Sequence, residues 1–165
     1  DPAQIASLRV EMAATLGRLA RLLQNRLLRP FLYLTLDNED VRQAVESADA
    51  FEQLAEESAR DRDLIFYDAP VVLAAHVPKS AFFGREDAVY AAYNLMLAAE
   101  RLGLGTCHIG YFNVALERNQ KLQRMLGLSA ERKVEVVLTL GYPRFKFKRV
   151  LPRRRMELSW GPRSL

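Results

Sequence analysis

The chain has 165 residues, half of them hydrophobic and 27% charged, a balance that suits a folded domain with a real core and excludes wholesale disorder. Its single cysteine, Cys107, excludes an internal disulfide framework and any all-cysteine metal or iron–sulfur centre, and two histidines leave little for zinc. The net charge of +4 is local: seven of the 24 basic residues fall within 144–155, a stretch with no acid, and the other 17 face 20 acids.

Asp1-Pro2-Ala3-Gln4 has neither the charged nor the apolar part of a signal peptide, and no apolar run approaches membrane-spanning length. A cytoplasmic location is the default expectation. Asp1 then Pro2 reads as a helix N-cap followed by proline at the first helical position. Ile5, Leu8, Met12, Leu16, Leu19, Leu23 and Leu27 recur at spacings of three and four, which predicts an amphipathic helix limited by Pro30. Phe31–Leu36 is a short apolar run of undetermined state. Asp37 is placed to cap a second helix, with Val41, Val45, Ala48, Phe51, Leu54 and Ala55 on one face.

Asp68-Ala69-Pro70 closes the helical region. Val71–Val77 is nearly continuous in apolar residues, as in a strand buried on both faces, and its His76 reads as a core histidine rather than a ligand. Glu86–Leu102 predicts a helix with acids in its first turn and Arg101 in its last. Apolar residues surround it almost completely (Val89, Tyr90, Ala92, Tyr93, Leu95, Met96, Leu97, Ala99), so it belongs at a domain centre or a dimer interface. Gly103 and Gly105 end it. A short strand follows over Thr106–Gly110, then an amphipathic helix over Glu117–Leu126 and a strand over Lys133–Leu140. Cys107 reads as a buried small hydrophobe. The tail from Arg144 is extended and basic, with Leu158 and Trp160 as anchors.

Three stretches taken in order resemble the nitroreductase family. They are Asp68-Ala69-Pro70-Val71-Val72-Leu73, the helix from Glu86 to Ala99 followed by Gly103-Leu104-Gly105-Thr106-Cys107-His108-Ile109-Gly110, and Leu140-Gly141-Tyr142-Pro143. The tail from Phe147 to Trp160 is most similar to the branch in which this domain follows a ferredoxin-like module. The resemblance covers residues 60–160 well and the first 60 only loosely. It implies an α+β fold: a nitroreductase-like sandwich with a mostly antiparallel sheet flanked by helices, assembled as an interlocked homodimer with FMN at the subunit interface. It also implies an FMN-dependent oxidoreductase that passes hydride from NAD(P)H to a nitroaromatic, quinone or enone acceptor. The flavin carries that chemistry and the protein orients and tunes it.

The same resemblance places Ile109, Gly110 and Tyr111 against the flavin ring, where a backbone N–H and a missing side chain allow close approach. On the residues alone, Gly110 also reads as a strand-end turn. The basic tail has three readings: a phosphate site, a nucleic-acid surface with Phe145 and Phe147 between the bases, or a solvated strand. By analogy with the family, Arg149 and Arg153 hold the FMN phosphate with Lys148 as helper. The family's opening Arg-Arg-Ser-x-Arg segment has no counterpart here, so residues 1–165 read as one domain truncated at its N-terminus. Losing two phosphate contacts worth ~1.5–3 kcal/mol each would weaken FMN binding about 100-fold or more. That expectation keeps open an alternative: a flavin-free, non-catalytic relative serving as a dimeric binding or structural module.

Overall fold

The computed structural model describes residues 1–25, 27, 42 and 45–145. The first helix, α1 (Pro2–Gln24), forms as its sequence predicts. Asp1 caps it by accepting the Ala3 N–H at 2.9 Å. Leu8, Met12, Leu16, Ala20 and Leu23 make its buried stripe. The helix stops before Leu27 because the backbone of Asn25 is extended, and Leu27 is exposed. The proposed cap Asp37 and the run Phe31–Leu36 lie outside the described residues.

α2 (Ala48–Ala59) packs along α1, with Phe51 buried between them and the rest of the core. Its end is tied down by charge. Glu57 is buried and accepts from Arg60 at 2.8 Å and from Arg62 at 2.7 Å, while Arg9 of α1 pairs with Asp61. The chain from there to Pro70 is held by Asp63. One carboxylate oxygen accepts the N–H groups of Ile65 (3.0 Å) and Phe66 (2.8 Å), and the other accepts that of Asp68 (3.1 Å). The clamp stabilises two successive residues in the left-handed region, Tyr67 and Asp68.

The described sheet has three antiparallel strands in the order β1 (Val71–Pro78), β3 (Arg132–Gly141), β2 (Gly105–His108). β1 lies at its edge and is half-buried, not enclosed on both faces as its composition suggests. His76 is correspondingly a surface residue, and its Nδ1 accepts from Arg132 at 2.9 Å. The central strand β3 is the buried one.

β3 contains a bulge. Ala75 and His76 are consecutive but pair with Val136 and Val134, which leaves Glu135 as the extra residue. The bulge resets the alternation of β3. Val134 and Val137 join one core with Leu16, Phe66, Phe112 and the partly buried Val72 and Ala74. Val136 and Leu138 join a second core with Ala88, Ala92, Leu73 and Ala75. The sheet therefore lies between two helical layers, α1 with its neighbours on one face and α3 (Gly84–Arg101) on the other.

Only one side of α3 meets the sheet. Ala88, Ala92 and Ala99 are buried, while Val89, Tyr90, Tyr93 and Leu97 are exposed in the single chain. Gly103 ends the helix with φ +73, a conformation that glycine adopts without the Cβ penalty. The single helix expected over Glu117–Leu126 is two: α4 (Gly110–Arg118) and α5 (Gln120–Met125). Asn119 has extended backbone between them and caps α5 by accepting the Lys121 N–H at 2.9 Å.

Candidate functional site

The site forms where β2 passes into α4. The last backbone tie to the sheet is the Ile109 N–H, which donates to the Val137 carbonyl at 2.9 Å. The Ile109 side chain is buried in the larger core. α4 then begins at Gly110, so this glycine is neither a strand residue nor a strand-end turn but the first residue of a helix.

That position leaves backbone donors free. The N–H groups of Gly110 and Tyr111 lie in the first turn, where no preceding helical carbonyl is available. Among the described residues neither has a hydrogen-bond partner; the next one, Phe112, closes on the Ile109 carbonyl at 3.3 Å. A Cβ placed on Gly110 would meet nothing within 4 Å. No packing among the described residues requires glycine here, and the backbone stands open to an approaching group. The helix start adds partial positive charge.

Aromatic contacts and one hydrogen bond brace the turn. Tyr111 is half-exposed and rests edge-on against Phe51 of α2, with centroids 5.4 Å apart. Phe112 is fully buried and meets Phe66 edge-on at 5.5 Å. Asn113 donates from Nδ2 to the Glu135 carbonyl at 2.8 Å. The turn thus combines two unengaged N–H donors, an open backbone and aromatic support, an arrangement suited to the electron-rich edge of a flat molecule.

Sequence reasoning placed Ile109, Gly110 and Tyr111 together, and the structure joins them in one turn. Lys148, Arg149 and Arg153 lie outside the described residues, as do Leu158 and Trp160. Cys107 is exposed, contrary to the buried reading, because β2 is an edge strand and Cys107 pairs with the centre of the sheet only through Thr139. His108 is exposed as well. Among the described residues no group of three or more His, Cys, Asp or Glu side chains gathers as metal ligands. No helix among them is long and apolar enough to cross a membrane. An open cleft of about 260 Å³ beside Arg9, Asp63 and Asp68 draws no lining residue from α4.

The roles of Asp63, Phe66 and Asn113 escaped the sequence. Asp63 precedes a turn without glycine, and Asn113 answers a bulge that no pattern in β3 announces.

The family model described as the Nitroreductase family matches residues 23–142. No curated protein is significantly similar to the chain. Among solved structures, a nitroreductase with bound FMN from Bacteroides fragilis is 18% identical, with a TM-score of 0.49 over 94% of this chain and 70% of that one. An oxidised iodotyrosine deiodinase bound to FMN and 3-iodo-L-tyrosine is 21% identical, with a TM-score of 0.48 over 88% of this chain and 71% of that one.

Proposed function

Because the chain belongs to the nitroreductase family, we propose that it is an FMN-dependent oxidoreductase that passes hydride from NAD(P)H to a small oxidised acceptor of nitroaromatic, quinone or enone type. The observation that carries this reading is the open first turn of α4: two unengaged N–H groups beside a glycine whose missing side chain leaves room for a ring. The described residues fit the edge of a flavin at that point.

When bound, FMN supplies the hydride exchange between the two substrates. The chain's own residues bind, orient and tune. Gly110 would let the backbone come close, and the Gly110 and Tyr111 N–H groups would be the donors available to the flavin ring. Ile109 fixes the start of that turn to the sheet. Tyr111, braced by Phe51, covers one side of the opening. Lys148, Arg149 and Arg153 would hold the phosphate, for which a guanidinium fork is chemically suited.

The reading includes a second subunit. Val89, Tyr90, Tyr93 and Leu97 form an exposed apolar face on α3, and faces of this kind mark interaction surfaces. A homodimer sharing the flavin between subunits accounts for a helix that is apolar all round yet touches its own sheet on one side only.

The test is optical. Purified protein titrated with FMN should quench flavin fluorescence in a saturable way, and its visible absorbance should bleach on adding NADH or NADPH. Protein that stays colourless in excess FMN rejects the activity and leaves a flavin-free module of the same fold.

A further inference from the structure

The bulge in β3 has a second use. Glu135 stands outside the pairing of β3 with β1, and β2 pairs with β3 only from Leu138 to Gly141. Its carbonyl is thus freed from the ladder. Asn113 takes that carbonyl, donating from Nδ2 at 2.8 Å. Two residues further along the same strand, the Val137 carbonyl accepts the Ile109 N–H at 2.9 Å. The first turn of α4 is therefore pinned to one strand at both ends, at residue 109 through the backbone and at residue 113 through a side chain. Gly110 and Tyr111 lie between the pins.

We infer that Asn113 is a positioning residue: by gripping the bulge it sets the direction in which the Gly110 and Tyr111 N–H groups point. What those groups receive rests on the flavin reading above. The chemistry of the side chain supports a positioning role. Asn113 Oδ1 is buried without a hydrogen-bond partner. A buried orphan acceptor is unfavourable, and an apolar residue would avoid it, but only a donor engages the bulge carbonyl. Glu135's own carboxylate, an acceptor like the carbonyl, cannot satisfy it and pairs with Lys133 Nζ at 3.2 Å.

The test uses Asn113→Asp, which keeps shape and removes the donor. Near neutral pH the introduced carboxylate repels the Glu135 carbonyl; once protonated, its O–H donates to it. In flavin-free protein the backbone amide resonances of Gly110 and Tyr111 should be displaced at neutral pH and return toward their wild-type positions as the introduced carboxyl is protonated. Asn113→Ser, too short to reach, should displace them at every pH and serves if the first variant does not fold. With FMN present, the preference for reduced over oxidised flavin should fall about tenfold in either variant, the loss of roughly one well-aimed hydrogen bond. Gly110 and Tyr111 amides that stay in place while only residues 133–137 shift would overturn the inference, as would an unchanged reduced-to-oxidised preference. A wild-type chain that takes up no FMN rejects the flavin reading separately, and the amide comparison then decides the positioning role.

Discussion

A Cβ added to Gly17 would stand 2.9 Å from the Cβ of Ala55. The crossing of α1 over α2 is therefore set by a glycine in mid-helix, where helix propensity alone disfavours it. Gly17→Ala should gain about 1 kcal/mol in propensity and lose about 1–3 kcal/mol by overpacking. Net destabilisation in urea melts is the expected outcome, and Ala55→Gly in the same chain should recover part of it. A Gly17→Ala protein more stable than wild type would contradict the close crossing.

Glu11 joins α1 to α5 by charge. The Lys121 ammonium, bonded to it first of all, and then the Asn119 amide hold its carboxyl below the ordinary glutamate range; the charges of Lys121 and Arg18 add to this and outweigh partial burial. A carboxyl with a lowered folded value contributes stability that is present above its ordinary range and disappears as pH falls through the folded value. Acid melts should therefore show wild type losing stability below the ordinary glutamate range. Glu11→Gln should start less stable at neutral pH and lose less on acidification. Parallel curves for the two proteins would refute the coupling.

Gly110→Ala separates folding from binding. The site is open and helical, so alanine should leave thermal stability unchanged or raise it by up to about 1 kcal/mol. FMN affinity should nevertheless fall at least tenfold, because the methyl group occupies the ring's approach. Unaltered affinity would remove Gly110 from the flavin site.

The proposed phosphate contacts have a built-in control in riboflavin, which lacks the phosphate. Arg149→Ala and Arg153→Ala should each weaken FMN by about tenfold or more, in line with ~1.5–3 kcal/mol for a charge-assisted contact, and leave riboflavin binding alone. Equal losses for both ligands would assign these arginines to something other than phosphate.

For the second subunit, Val89→Lys combined with Leu97→Lys places charge on the exposed face of α3 without touching Ala88 or Ala92, which meet the sheet, or the buried Ala99. Sedimentation should show wild-type dimers and variant monomers that retain native circular dichroism. Wild type sedimenting as a monomer at micromolar concentration would end the shared-site reading.

Local signals carried much of the fold into view. Asp1-Pro2 and the stripe from Leu8 to Leu23 dictated α1, because capping and 3.6-residue periodicity are written within a few residues of one another. The acids at Glu86 and Asp87 and the stop at Gly103 did the same for α3. The order of motifs from Asp68 to Pro143 was enough to suggest the family and to single out Ile109, Gly110 and Tyr111. What needed the assembled molecule were relations between distant segments. Edge placement put Cys107 and His76 on the surface, since burial of a strand depends on its neighbours and not on its own composition. The bulge at Glu135, which no pattern in β3 announces, decided which valines face which helical layer and which carbonyl Asn113 holds. Side-chain period is a property of one strand; register is a property of two, and only the packed sheet could set it.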